Sequence, residues 1–129
     1  NGNSLQAFAQ AGILDRWMGK GIQFMHLILI DNPLADPFDP ELAAFHARQG
    51  ADITLKCTEK RDPDEKVGLL VKENNRCQVV EYSELSDSEK KERGKGGRLK
   101  HCCANLSLFC FSLSFIQRMI REKRALPLH

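Results

Sequence analysis

The sequence predicts an α/β fold in which helices pack on the faces of a sheet. Segments with helical spacing of apolar residues alternate along the chain with short apolar segments rich in strand-forming residues. The composition, 42% hydrophobic and 28% charged, is that of an ordinary soluble globular domain. At 129 residues the chain is one domain or part of one, and no repeat or linker interrupts the alternation.

The first elements are a helix and a buried strand. Apolar residues at i and i+4 predict an amphipathic helix from Ser4 to Met18, which Gly19 ends. The nearly continuous apolar run from Phe24 to Ile30 is typical of a strand buried on both faces in a parallel sheet. Asp31-Asn32-Pro33 then ends that strand.

The middle of the chain predicts a helix, a strand and a hairpin. Asp39-Pro40-Glu41 has the cap residue, proline and acid that open a helix, and Gly50 ends it. Asp52 to Cys57 is the next strand. The two segments Lys66–Val71 and Cys77–Tyr82 flank a short polar turn and predict a pair of strands.

The last elements are a capped helix, a loop, a strand and a helix. Ser86-Asp87-Ser88-Glu89 is a capping box. Gly94 to Arg98 is glycine-rich and basic, but it lacks the spacing and the Ser/Thr of a phosphate-binding loop, so a mobile surface loop is the favoured interpretation. Leu106 to Phe111 predicts a strand. The helix that follows has an apolar face and a basic end, formed by Phe115, Ile116, Met119, Ile120, Arg121, Lys123 and Arg124.

Charge and hydropathy argue against several classes of function. The net charge is +2, the charges are mixed in sign, and aromatic residues make up 7% of the chain, so nucleic acid is not expected as a partner. The longest apolar run falls short of the roughly 20 residues of a membrane span, so no membrane is expected either. The first residues also lack the features of a secretory signal.

The cysteines indicate a reducing compartment. Five cysteines is an odd number without a regular framework, which favours reduced thiols in a cytoplasmic protein. His101-Cys102-Cys103 permits a metal-binding interpretation, but adjacent cysteines on a strand point to opposite faces and chelate one ion poorly. Structural thiols are therefore favoured over metal ligands.

Asp31 is the first candidate for a functional residue. It follows the carboxyl end of a predicted buried strand, where ligands bind in open α/β sheets. The carboxylate of Asp31 and the amide of Asn32 are oxygen ligands suited to a magnesium ion that bridges phosphates. The alternative is that Asp31 only caps the turn before Pro33.

Glu81 and Asn105 are the other candidates. Glu81 leaves the end of a strand, where a carboxylate could accept hydrogen bonds from sugar hydroxyls, although composition alone favours a solvated strand end. Asn105 lies in an apolar stretch, where a buried amide must find partners. A structural hydrogen bond and a ligand contact explain Asn105 equally well. The four scattered histidines and the serines form no nucleophilic triad.

The order and spacing of several short motifs resemble those of eukaryotic-type UDP-N-acetylhexosamine (UDP-N-acetylglucosamine) pyrophosphorylases. The resemblance covers residues 1–129, and its most specific segment is Val79-Val80-Glu81-Tyr82-Ser83-Glu84. The other matching segments are Asn1-Gly2, Asp31-Asn32, Ala35-Asp36-Pro37, Gly50-Ala51-Asp52 and Val67-Gly68.

The resemblance implies a fold and a function. The fold would be part of a Rossmann-like α/β/α sandwich of the nucleotide-diphospho-sugar transferase type. The function would be that of a uridylyltransferase, which joins UTP and a sugar 1-phosphate, with N-acetylglucosamine 1-phosphate as the expected sugar, to give a UDP-sugar and pyrophosphate with Mg²⁺ as cofactor. By resemblance, Asp31 is catalytic and binds the metal, whereas Asn1, Gly68, Glu81 and Asn105 bind the sugar substrate.

The resemblance also implies what the chain lacks. Residues 1–129 would be the central part of the catalytic domain, with the glycine-rich triphosphate loop before Asn1 and a phosphate-contacting lysine after His129. We therefore expect these residues alone to be inactive. Cys102-Cys103-Ala104 also replaces the Asn-Ala-Gly that precedes the matching asparagine, which leaves open a second function, a non-catalytic α/β module that binds a sugar phosphate.

Overall fold

The computed structural model describes residues 3–74 and 76–122 and confirms the predicted α/β class. The helices are α1 Asn3–Gln10, α2 Ile13–Gly19, α3 Pro40–Gln49, α4 Asp87–Lys91 and α5 Leu113–Arg121. The strands are β1 Phe24–Leu27, β2 Ile53–Glu59, β3 Leu69–Glu73, β4 Arg76–Val80 and β5 Cys103–Ser112. The chain forms two compact units, a first unit of Asn1–Thr54 with Phe109–His129 and a second unit of Leu55–Leu108.

The N-terminal helix is interrupted, so the prediction of one helix from Ser4 to Met18 is wrong. Gly12 lies between α1 and α2 with a φ of 69°, the left-handed conformation that glycine adopts without strain. The interruption turns the apolar faces of the two helices toward each other. The rings of Phe8 and Trp17 meet edge to face at 5.1 Å.

Strand β1 is shorter than expected and runs antiparallel to its partner. It ends at Leu27, and Ile30 beyond it is fully exposed. Its partner is the C-terminal half of β5, with Phe24 opposite Ser112 and Leu27 opposite Phe109. The four residues of β1 are half-buried rather than buried on both faces. The predicted burial on both faces and the parallel arrangement inferred from the apolar run are therefore both wrong, because strand direction and burial are decided by the strand's partners and not by its own sequence.

The core of the first unit forms where α5 packs on the helices at the start of the chain. Leu14, Phe111, Leu113 and Ile116 are buried together, and Phe8, Trp17 and Met25 pack against them. The predicted apolar face of the last helix is confirmed at Ile116. Lys123 and Arg124, expected at its basic end, lie outside the described residues.

Helix α3 begins and ends where the sequence indicates. The Asp39 carboxylate accepts a hydrogen bond from the Leu42 N–H at 3.0 Å, and Gly50 ends the helix with a φ of 57°. None of the helices formed by the described residues has the length and apolar character that crossing a bilayer requires.

The second unit is built on the predicted hairpin. Strands β3 and β4 pair antiparallel, with Leu69 opposite Val80 and Glu73 opposite Arg76. Leu69 also pairs with Ala104 of β5, and both are almost completely buried. Strand β2 pairs with β5 as well.

The polar segment from Ser86 to Leu99 forms helix α4 and a tight turn. Ser86 caps α4 through the Glu89 N–H, as the capping box predicts. The glycine-rich segment is a tight turn closed by a β-bridge between Arg93 and Leu99. Arg98 of this segment pairs with Glu59 at 3.5 Å, and the neighbouring Arg93 donates to the Gly97 carbonyl at 2.6 Å. Gly94, Gly96, Gly97 and Arg98 are exposed, as expected of a surface loop, and the mobility of the loop stays a prediction.

Candidate functional site

The structure brings together three of the predicted sugar-binding residues, Gly68, Glu81 and Asn105, which we call the polar cluster. The Asn105 N–H donates to the Gly68 carbonyl at 2.8 Å. Leu69 and Val80 form the pair of the hairpin that is farthest from its turn. Gly68 precedes Leu69 and Glu81 follows Val80, so these two residues lie side by side just beyond that pair. A methyl group at Gly68 would lie 3.4 Å from Oε1 of Glu81, so the carboxylate lies directly over this glycine.

Glu81 is exposed where β4 gives way to a short 3₁₀ helix, Tyr82–Glu84. Its N–H donates to Oε2 of Glu84 at 2.9 Å, and the Glu84 N–H donates to the Glu81 carbonyl at 3.0 Å. The chain is therefore not extended from Glu81 to Glu84, and the side chain of Glu84 turns back toward Glu81. Glu84 instead holds the backbone of Glu81 in place.

Asn105 has a structural hydrogen bond, one of the two alternatives that the sequence left open. Its side-chain oxygen accepts from the Ser107 N–H at 2.9 Å. Ser107 has a φ of 56°, a conformation that is uncommon for residues other than glycine and that the amide stabilises. The amide nitrogen makes no hydrogen bond to a described residue, so it remains available for a ligand.

Asp31 lies in the first unit, exposed in the turn that follows β1. The strand ends at Leu27, so Asp31 does not lie at its carboxyl end as expected. Its carboxylate makes no hydrogen bond or ion pair with another described residue. The turn is capped by its neighbour, since Oδ1 of Asn32 accepts from the Leu34 N–H at 3.2 Å. The alternative in which Asp31 only caps the turn therefore loses its support.

The residues present fit a magnesium ion held mostly by its substrates. Within the two described ranges, no three His, Cys, Asp or Glu side chains converge on a metal position. Mg²⁺ is commonly bound by one or two carboxylates together with substrate phosphates and water. Asp31 offers one such carboxylate. Asn1, the remaining predicted sugar-binding residue, lies outside the described residues.

Two of the five cysteines, Cys57 and Cys110, have the properties of structural thiols. Burial, together with a hydrogen bond to Cys103, raises the pKa of the Cys57 thiol to about 12. Burial also raises the pKa of Cys110. A raised pKa disfavours the thiolate, which is the form that binds metals and reacts. For Cys57 and Cys110 this agrees with the preference for structural thiols, whereas for Cys102 and Cys103 that preference stays a prediction.

A buried histidine network in the first unit was not foreseen from the sequence. His46 is fully buried, with Nδ1 2.7 Å from Oγ1 of Thr54 and Nε2 2.9 Å from Oγ of Ser112. Ser112 donates its own proton to the Ala51 carbonyl at 2.8 Å. The imidazole must therefore donate to Ser112 through Nε2, and Ser112 is not an activated nucleophile. No sequence motif marks residues so far apart along the chain.

Similar proteins identify the family. The family model described as UTP–glucose-1-phosphate uridylyltransferase matches residues 1–129. A Schizosaccharomyces pombe protein named as a probable UDP-N-acetylglucosamine pyrophosphorylase is 35% identical over 132 residues, which cover 100% of this chain and 28% of that protein. The chain thus spans little more than a quarter of that relative.

Solved structures have the same fold. A candidate UDP-N-acetylglucosamine pyrophosphorylase from Entamoeba histolytica superposes with a TM-score of 0.89 at 32% identity, covering 100% of this chain and 32% of that one. The UDP-N-acetylglucosamine pyrophosphorylase of Trypanosoma brucei superposes with a TM-score of 0.79 at 32% identity, covering 88% and 22%. Because the family model matches all 129 residues of this chain, the chain belongs to the UTP–glucose-1-phosphate uridylyltransferase family.

Proposed function

We propose that the protein that contains this chain joins UTP and a sugar 1-phosphate to give a UDP-sugar and pyrophosphate. The observation that carries the proposal is the polar cluster, in which Gly68, Glu81 and Asn105 meet although they are far apart along the chain. The names of the similar proteins support N-acetylglucosamine 1-phosphate as the sugar substrate.

The polar cluster has the chemistry that a sugar requires. The exposed Glu81 carboxylate would accept hydrogen bonds from two sugar hydroxyls. Gly68 has no side chain, so its backbone would approach the N-acetyl group closely. The amide nitrogen of Asn105 would donate to the same ligand, and Asn1 would add a further contact with the sugar.

Asp31 would act on the phosphates. In the reaction, an oxygen of the sugar phosphate attacks the α-phosphorus of UTP, and pyrophosphate leaves with the bond that breaks. Asp31 would hold Mg²⁺, which when bound offsets the negative charge of the phosphates. Its carboxylate has no competing partner among the described residues, so it is free to take this role.

Measurement of pyrophosphate release tests the proposal. The full-length protein that contains this chain is incubated with UTP, Mg²⁺ and a panel of sugar 1-phosphates. We expect turnover that is fastest with N-acetylglucosamine 1-phosphate. Binding of the sugar phosphate without turnover would instead favour the non-catalytic binding module, which the departure at Cys102-Cys103-Ala104 suggests.

We also place the protein in the cytoplasm. All five cysteines are free thiols, the state that a reducing compartment maintains. Fractionation of cells that express the protein tests this location.

A further inference from the structure

The second unit contains a buried lysine that the proposed sugar contacts do not use. Lys60 follows β2 directly, and only 2% of its surface is exposed. It makes no ion pair with a carboxylate among the described residues. Lysine is almost never fully buried unless it is paired, because removing an ammonium group from water without a counter-charge is costly.

The Lys60 ammonium is nevertheless not sealed inside the protein. In the described part of the chain, no side-chain nitrogen or oxygen is buried without a hydrogen-bond partner. Since the Lys60 side chain forms no hydrogen bond with any residue of 3–74 or 76–122, its ammonium must keep some contact with solvent, whereas its aliphatic stem is covered. A cation that contacts solvent and has no counter-charge among the described residues can bind an anion from solution.

Backbone hydrogen bonds place Lys60 next to the polar cluster. The Lys60 N–H donates to the Cys102 carbonyl at 2.7 Å, and the Asn105 N–H donates to the Gly68 carbonyl at 2.8 Å. Lys60 and Gly68 are thus both held by the same four-residue stretch, Cys102 to Asn105. This stretch holds the backbone of Lys60 close to the residues that would hold the sugar, and a lysine side chain is long enough to span the remaining distance.

We propose that the Lys60 ammonium binds the phosphate of the sugar 1-phosphate while the polar cluster holds its sugar ring. The inference rests on the proposed function. The phosphate supplies the counter-charge that the buried lysine lacks, and lysine binds phosphate as a compact point charge. The same charge offsets the repulsion between the phosphate and the Glu81 carboxylate. Phosphates of UTP have the same chemistry, and the proximity to the polar cluster favours the sugar phosphate over UTP.

Calorimetry on the longest natural form of the protein tests the proposal without turnover. Affinities are measured for N-acetylglucosamine 1-phosphate, for N-acetylglucosamine and for UTP, with wild type, Lys60→Met and Lys60→Gln. Both substitutions keep much of the side-chain length and remove the charge. Lys72→Met on the exposed part of β3 is the matched control. Melting temperatures of the ligand-free proteins are measured in parallel.

We expect both Lys60 variants to bind the sugar phosphate about ten- to a hundredfold more weakly, the loss typical of a hydrogen bond to a charged group. Affinities for N-acetylglucosamine and UTP should be unchanged, and Lys72→Met should match the wild type. Melting temperatures should hold or rise, because neither substitution removes a contact between the ammonium and another described residue, and the aliphatic part of the side chain stays covered.

Three results would overturn the proposal. Unchanged affinity for the sugar phosphate would show that Lys60 does not contact it, and a loss confined to UTP would assign Lys60 to the nucleotide. A sharp fall in melting temperature for both neutral variants would show that a protein group holds the ammonium. Failure of the proposed function would be seen separately, as wild-type protein that binds the sugar phosphate but releases no pyrophosphate.

Discussion

At the scale of single residues, Glu81 is the sharpest test of the polar cluster. Glu81→Gln should weaken binding of the sugar 1-phosphate by about ten- to a hundredfold, because a charged acceptor of two hydroxyl hydrogen bonds becomes neutral. UTP affinity should hardly change. Calorimetry on the longest natural form of the protein measures both affinities.

The control for Glu81 follows from the structure. Glu84 is unsuitable, since its carboxylate accepts from the Glu81 N–H and its loss would disturb Glu81 itself. Glu73→Gln removes an equally exposed charge at the opposite end of the same hairpin and should have no effect. Equal, small effects from the two substitutions would mean that Glu81 is only a solvated strand end.

Substitution of Gly68 tests whether the polar cluster needs a residue without a side chain next to the Glu81 carboxylate. In Gly68→Ala the new methyl group would lie 3.2 Å from Cγ1 of Val79 and 3.4 Å from Oε1 of Glu81. Both neighbours are exposed and can move, so thermal stability should change little. The displaced carboxylate should weaken sugar-phosphate binding, as measured by calorimetry. Gly94→Ala meets only an ordinary contact at 3.9 Å and should bind as the wild type does.

At the scale of secondary-structure elements, Asn105 combines a structural and a proposed ligand contact on β5. Asn105→Asp keeps the oxygen that accepts from the Ser107 N–H and loses the amide nitrogen. Its melting temperature should therefore stay close to the wild type while sugar-phosphate affinity falls. Asn105→Ala should lose both. Full affinity in the Asp variant would leave Asn105 with its structural role alone.

The buried His46 network joins α3, β2 and β5 and should make stability depend on pH. Burial lowers the pKa of His46, the nearby His26 lowers it further, and Asp52 raises it. The unfolded chain therefore binds more protons than the folded one between the lowered pKa and about 6.5, the ordinary value for histidine. The free energy of unfolding should fall as the pH falls below about 6.5.

Urea unfolding at pH 7.5 and pH 5.5 measures this dependence. The wild type should unfold at lower urea concentration at pH 5.5. His46→Gln should be less stable at pH 7.5 and should show a smaller loss on acidification, because the group that must take up a proton is gone. His101→Gln in the second unit should keep the full dependence on pH. An undiminished loss in the His46 variant would assign the effect to other groups.

The elements also show which parts of the fold were predictable. Local signals placed the capping box of α4, the cap of α3 and the β3–β4 hairpin correctly, since neighbouring residues determine these features. The break at Gly12 was missed because the apolar spacing continues across it. The direction of β1 was missed because pairing with β5 is decided by residues far away in the chain.

The candidate site was likewise predictable only in part. Motif resemblance selected Gly68, Glu81 and Asn105, which the structure brings together, yet it gave no hint that Glu84 supports Glu81 or that Asn105 holds Ser107. Lys60 has no motif around it, and its proposed role comes from its burial and from the backbone hydrogen bond that places it beside the polar cluster. Burial of a charged residue depends on packing by the whole second unit, which no local pattern reports.

At the scale of the whole molecule, the proposed reaction assigns different tasks to the two units. The polar cluster of the second unit would select the sugar phosphate, whereas Asp31 of the first unit would serve the metal and the phosphates. Variants of the two units should therefore fail in different ways. Glu81→Gln should raise the KM for the sugar 1-phosphate, and Asp31→Asn should lower kcat.

Asp31→Asn provides the test of this division. The substitution keeps the shape of the side chain and removes its charge, so kcat should fall by at least about a hundredfold, the scale of one lost electrostatic contact in the transition state. Binding of the sugar phosphate and the melting temperature should be nearly unchanged, because Asp31 is exposed and unpaired among the described residues. Asp36→Asn is the matched control: it also removes an exposed charge, and its amide oxygen can still accept from the Phe38 N–H. Rates of pyrophosphate release are measured across a titration of Mg²⁺, where Asp31→Asn should need more metal than Asp36→Asn or the wild type. If Asp31→Asn and Asp36→Asn turn over equally fast with the same metal requirement, Asp31 has no part in catalysis and the metal is held elsewhere.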